Sequence, residues 1–164
     1  MVRTGHSFMK RELSESPEIM FAGEMSGHLF FNDRWNGHDC SMYNSARLIE
    51  LVARRVGSTH GFANFSDLIS IVPSFPATGE NKIPYYGDRV VTMMLVEEAF
   101  SDMECLKIDG VRVLYPDGWF LCRPSNTEPV LIMRAEAHTS QSLKALLSDV
   151  VSRLNGIVDV SKLN

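Results

Sequence analysis

A mixed α/β segment followed by an α+β domain is the fold class the sequence predicts. The second part reads as a four-stranded, mostly antiparallel sheet packed with two helices. Three observations carry this. Short apolar runs of strand length alternate with one long helical period in the first half. A proline cluster interrupts the chain near its middle. Beyond it, turn signals at Asp109-Gly110 and Pro116-Asp117-Gly118 separate strand-like runs, and a long amphipathic period closes the chain.

Taken in order, residues 8–13 read as a short helix stopped by Pro17. Residues 19–22 are apolar and end at Gly23, where length and flanks favour a buried strand over a helix. Residues 29–31 restart after His28 as a neighbour strand, so residues 24–28 form a turn or crossing loop. Residues 42–56 read as a helix with Ala46, Ile49, Val52, Ala53 and Val56 on one apolar face, ended by Gly57. Residues 65–72 read as a shorter helix that ends before Pro73. Residues 73–84 hold Pro73, Pro76, Gly79 and Pro84, and read as a linker. The boundary placed there divides the chain into domains 1–76 and 77–164. Residues 88–100 follow as a helix with Val91, Met94, Leu95 and Ala99 on one side. Residues 104–108, 111–115, 119–122 and 130–137 give four strands. Thr139 is a good N-cap for a last helix carrying Leu143, Leu146, Leu147, Val150, Val151 and Leu154.

Bulk properties narrow the function. The composition, 45% hydrophobic and 22% charged over 164 residues, suits a folded domain or two small ones. A net charge of −4 argues against a nucleic-acid partner, because phosphate backbones select basic faces. No apolar run approaches the roughly 20 residues of a membrane span, and the first residues lack the apolar core of a signal peptide. Cys40, Cys105 and Cys122 show neither metal-ligand spacing nor a disulfide framework, which suits a reducing cytoplasm.

Two polar loops stand out. Residues 22–28, Ala-Gly-Glu-Met-Ser-Gly-His, set a carboxylate, a hydroxyl and an imidazole on alternate positions, Glu24, Ser26 and His28. A locally paired glutamate with an incidental histidine explains this nearly as well as a binding site does. Residues 123–129, Arg-Pro-Ser-Asn-Thr-Glu-Pro, join the last two strands. Arg123 offers a planar fork of donors suited to phosphate oxygens, and Ser125, Asn126 and Thr127 add short polar groups beside backbone N–H groups. The competing reading is turn material, each residue bonding its own backbone.

The two loops together, in this order and at this separation, resemble the α-D-phosphohexomutases, most of all the phosphomannomutase/phosphoglucomutase branch. Residues 3–10, residues 109–113, Gly118-Trp119 and the linker residues 75–80 agree. The resemblance covers nearly the whole chain. It implies the later part of a third domain, mixed α/β, and all of a C-terminal fourth domain, from a four-domain enzyme that moves a phosphoryl group between C1 and C6 of a hexose through a phosphoserine and a bisphosphorylated sugar. The family's serine loop and its aspartate-rich, magnesium-binding loop are not recognisable here. The expected partners are therefore the hexose phosphate substrate and the first two domains of the same protein. Magnesium is expected with ligands outside this chain, and the chain alone is expected to be inactive. The alternatives are a non-catalytic hexose-phosphate-binding module and a truncated, non-functional product.

By the same resemblance, Glu24 and Ser26 would contact sugar hydroxyls, with His28 and His6 near the sugar. His28 is a candidate acid/base, and simple hydrogen bonding is its other reading. Arg123, Ser125, Asn126 and Thr127 would hold the phosphate that is not reacting. His38, His60 and His138 are expected to be structural or exposed, and Trp35, Trp119 and the methionines to serve packing. Glu128 matches the family without a role beyond shaping its turn. One departure concerns residues 39–42, Asp-Cys-Ser-Met, where the family has an acidic residue followed by Asp-Gly or Ser-Gly ahead of the helix. With part of its sheet outside the chain, the first half is expected to be the less stable.

Overall fold

The computed structural model describes residues 1–57 and 61–163, and the chain divides into two compact units, Met1–Pro73 and Ser74–Asn164. His60 lies outside the described residues. No helix among the described residues is long and apolar enough to cross a membrane.

The first unit runs α1 (His6–Glu15), β1 (Phe21–Gly23), β2 (Leu29–Phe31), α2 (Ser41–Arg55) and α3 (Phe65–Ser70). The two strands pair antiparallel, Phe21 opposite Phe31 and Gly23 opposite Leu29. Strand alternation turns Phe30 inward, where it is fully buried with Met9 and Leu13, one turn apart on α1. The Asn32 amide donates to the carbonyls of Leu13 and Ile19 at 3.3 and 3.2 Å, tying the end of α1 to the sheet.

No residue of α2 is fully buried. Of its apolar face, Val52 and Val56 are half-buried while Ala46, Ile49 and Ala53 are exposed. An amphipathic period identifies a face that gains from cover without saying what covers it. The helix is held instead along a polar edge. Arg47 donates to Asp33 at 2.6 Å and lies 4.3 Å over the Phe31 ring. That guanidinium holds the Asp33 carboxyl down to about 2. Trp35 stacks on Tyr43 with ring centroids 4.5 Å apart.

The second unit runs β3 (Asn81–Pro84), α4 (Arg89–Ala99), β4 (Cys105–Leu106), β5 (Val111–Tyr115), β6 (Gly118–Pro124), β7 (Val130–Ala137) and α5 (Ser140–Leu154), with a 3₁₀ turn at Val160–Lys162. The sheet order is β3-β7-β6-β5-β4 and every neighbouring pair is antiparallel. Val111, Val113, Phe120, Cys122, Leu131 and Met133 share one buried face, and Val96, Leu146, Val150 and Leu154 of the two long helices pack on it. Thr139 caps α5 by accepting from Ser142 N, as expected.

Four expectations change. The sheet has five strands, not four, because β3 lies inside the proline-rich stretch read as a linker. It is an edge strand with Pro84 at its end, a place where a missing N–H costs little. The units meet at Pro73/Ser74, ahead of residue 76, because Pro76 O already accepts from Ala137 N at 3.0 Å and belongs to the sheet. Helix α4 also turns a different face inward. Thr92, Met93 and Val96 are buried, whereas Val91, Met94 and Leu95 are exposed; of the expected face only Ala99 packs, half-buried, against the core. Residues 90–96 are apolar almost all the way round, so periodicity had no face to choose and the sheet decided. Met9, Met93 and Met133 are core residues, but Met20, Met25, Met42 and Met94 are exposed, so packing does not account for all the methionines.

Candidate functional site

The first loop closes a hairpin between β1 and β2. Glu24 N donates to His28 O and Gly27 N donates to Glu24 O, both at 2.9 Å. Gly27 supplies the positive φ of 90° that this tight return needs. Glu24 leaves one carboxylate oxygen, Oε1, shielded from solvent and without a hydrogen-bond partner. A desolvated carboxylate oxygen without a donor is destabilising, and a donor brought to it by a small side-chain movement would relieve that cost. Ser26 is exposed at the tip.

His28 ends the loop with Nδ1 2.7 Å from Asp39 Oδ2. Asp39 itself is fixed from a second side, since Asn44 Nδ2 donates to its Oδ1 at 2.9 Å and to Leu29 O at 3.2 Å. The His28 bond first, then the Leu29 backbone and the Asn44 amide, hold the Asp39 carboxyl below the ordinary carboxylate range despite partial desolvation. An ionised carboxylate only accepts, so the proton lies on His28 Nδ1. In the neutral imidazole that leaves Nε2 as an acceptor.

His6 opens α1 and joins this group. Its Nε2 lies 3.8 Å from Asp39 Oδ2, and its ring meets that of His28 edge-on with centroids 4.3 Å apart. Phe30 lies beneath at 5.2 Å. The fold thus gathers His6 and His28 from separate elements onto one carboxylate. Asp39 was absent from the sequence-derived candidates. The available signal was an acidic residue directly ahead of a helix start, which sequence reasoning used only to place that helix. His38 is spent on the Asn36 carbonyl at 2.8 Å.

The second loop joins β6 to β7. Cys122 is fully buried, so alternation sends the Arg123 side chain off the opposite face of the sheet. Among the described residues none forms a hydrogen bond or ion pair with its guanidinium. Ser125 Oγ accepts from Thr127 N at 3.3 Å and Glu128 N at 3.2 Å. Those two N–H groups are therefore turned inward, the local bonding that a serine turn provides. What remains for an anion is Arg123, the exposed Asn126 side chain, and the Ser125 and Thr127 hydroxyls, which lie 3.5 Å apart and share one hydrogen bond. Glu128 accepts twice from Lys82 Nζ at 2.8 Å, which moors the loop to the edge strand β3.

Gly110 packs against the same strand. A Cβ built there would lie 2.3 Å from the Cys122 carbonyl oxygen and 2.6 Å from Arg123 Cα. Its φ of 75° is also outside the range of most side chains. The Asp109-Gly110 turn therefore sets where the Arg123 backbone can run.

Comparison with known proteins agrees with both halves. The family model described as phosphoglucomutase/phosphomannomutase, alpha/beta/alpha domain III, matches residues 1–70, and that of the C-terminal domain matches residues 86–153. A phosphomannomutase/phosphoglucomutase of Pseudomonas syringae pv. tomato is 41% identical over 89% of this chain and 30% of its own length. One from Pseudomonas aeruginosa is 35% identical over 96% of the chain and 33% of its own length. The chain thus spans about a third of the curated relatives it matches. A crystal structure of a phosphoglucomutase/phosphomannomutase family protein from Burkholderia thailandensis, 38% identical, superposes with a TM-score of 0.81 over 96% of this chain and 32% of that one.

Proposed function

Because the chain belongs to the phosphoglucomutase/phosphomannomutase family, of which it carries the third and C-terminal domains, we propose that it supplies the sugar-binding and phosphate-binding loops of a hexose-phosphate mutase. The observation that carries this is the shielded, partnerless Glu24 Oε1 in one loop, together with an Arg123 guanidinium in the other that pairs with none of the described residues. A carboxylate that lacks a donor suits a polyol. A guanidinium that lacks an acceptor suits a phosphate.

The parent reaction interconverts hexose 1-phosphate and hexose 6-phosphate through a phosphoserine and a bisphosphorylated sugar. It needs the sugar held alike in two opposed orientations, and Glu24 and Ser26 address central hydroxyls that both orientations share. Each charge-assisted hydrogen bond to Glu24 contributes on the order of 1.5–3 kcal/mol. Arg123, with Ser125, Asn126 and Thr127, holds the phosphate that is not reacting, which keeps the other end in line for transfer. His28, its Nδ1 proton engaged by Asp39, presents Nε2 as an acid/base group, with His6 beside it.

Magnesium, expected for the whole enzyme, is not matched by the residues here. The one cluster of metal-competent side chains among the described residues, His6, His28 and Asp39, offers two imidazoles and one carboxylate. Magnesium takes a near-octahedral set of oxygens. On the proposed reading its ligands and the phosphorylated serine would come from domains outside this chain.

Isothermal titration with mannose 1-phosphate, glucose 1-phosphate and sulfate tests the reading. Heat with either sugar phosphate, lost in Arg123→Ala and weakened in Glu24→Gln, supports it. No heat with any of the three overturns it. Binding without turnover after the remaining domains are supplied would favour a non-catalytic module.

A further inference from the structure

We propose that His6, His28 and Asp39 form a binding site for a zinc-class divalent cation, with one coordination position open. One ligand atom from each of the three lies within 4.8 Å of the others, with Asp39 Oδ2 2.7 Å from His28 Nδ1 and 3.8 Å from His6 Nε2. A tetrahedral ion with arms of about 2.0–2.2 Å separates its ligand atoms by roughly 3.3 Å. Reaching that spacing needs side-chain shifts of about an ångström. The two imidazoles are free to make them, with side chains 46% and 45% exposed.

Two features distinguish the cluster from a chance surface grouping. The ligands come from three separately anchored pieces of backbone: the start of α1, the closed hairpin loop and the residue pair ahead of α2. The carboxylate is also already oriented from behind. Asn44 Nδ2 holds Oδ1 at 2.9 Å and leaves Oδ2 facing both imidazoles, which is the outer-shell arrangement that aims a metal-binding carboxylate. Two imidazole nitrogens and one carboxylate suit Zn²⁺, Co²⁺ or Ni²⁺ and are a poor match for Mg²⁺ or Ca²⁺. On binding, the ion takes the place of the proton between His28 Nδ1 and Asp39, and the neutral ring carries its one proton on Nε2 instead. A fourth ligand, water or a substrate oxygen, completes the shell. The inference stands on these residues alone and does not depend on the proposed mutase reaction. If that reaction is also right, the ion would immobilise His28 and inhibit.

The experiment is titration of the chain with Zn²⁺ by calorimetry, with Co²⁺ followed by its visible absorption. The expected result is one equivalent bound, a four-coordinate Co²⁺ band, and no competition from millimolar Mg²⁺. Asn44→Ala, which keeps all three ligands, should weaken binding about tenfold, and His6→Gln should remove the Co²⁺ band. His6 is half-exposed, so its replacement leaves the core intact, and the backbone amide NMR spectrum checks this. Affinity unchanged in both variants, or binding abolished by Cys40→Ser instead, would overturn the proposal.

Discussion

Asp39 Oδ2 accepts the Nδ1 proton of His28 at 2.7 Å, across a loop whose ends are eleven residues apart in sequence. This bond decides which nitrogen of His28 is left for chemistry. Asp39→Asn should change it, because an amide can present N–H to the ring and reverse the tautomer. Long-range proton–nitrogen NMR of the imidazoles reads this directly. The wild type should show the Nδ1–H form, and the variant a shift toward Nε2–H.

The same bond has an acid limit. The Asp39 carboxyl is depressed, first by His28, so its folded pKa lies below the unfolded value of about 3.9. A depressed acid contributes stability that is fully present above its unfolded pKa and is lost as pH falls through the folded one. Amide protection at Glu24 and Gly27 should hold at pH 5 and fall in the window below about 3.9.

Cys40 occupies the N-cap of α2 without a side-chain acceptor, in extended backbone with φ −142°. Serine or aspartate there would accept from the free N–H groups of the first turn. Cys40→Asp should stabilise the first unit by about 1 kcal/mol, read as a higher denaturant midpoint at unchanged slope.

Gly110→Ala should be costly, because the added methyl meets the Cys122 carbonyl and the Arg123 backbone in a left-handed conformation. A loss of roughly 1–3 kcal/mol is expected. Phosphate affinity should fall with it, although residue 110 touches no ligand.

The two units should open at different free energies. The first buries Met9, Leu13 and Phe30 under a two-stranded sheet, a size that is marginal by itself. The second surrounds a five-stranded sheet with a much larger cluster that includes Phe100 and Phe120. Hydrogen exchange should release the β1 and β2 amides before those of β6 and β7.

Local sequence signals fixed most element types. The period of residues 143–154 and the Asp109-Gly110 turn act over a few residues; the last helix forms as read, and the chain reverses at the turn, although the strand before it shortens to Cys105–Leu106. Strand β3 was hidden because its pairing partner, β7, lies some fifty residues on and proline statistics argued against it. The inward face of α4 was hidden because an all-round apolar helix takes its orientation from the sheet. In the loops, residue type pointed to Glu24 and Arg123. The role of Asp39 needed three dimensions, since His6, His28 and Asp39 meet only after α1 and the hairpin pack around Phe30. The inward turn of Thr127 N and Glu128 N toward Ser125 was likewise a matter of geometry.

The most direct test of the central claim is a residue-resolved NMR titration of the chain with mannose 1-phosphate, mannose and inorganic phosphate. If the Glu24 and Arg123 loops serve one ligand, both sets of amides shift with mannose 1-phosphate along a single binding curve, while phosphate alone moves only residues 123–127. Two curves with different affinities, or a response confined to one loop, would contradict the account.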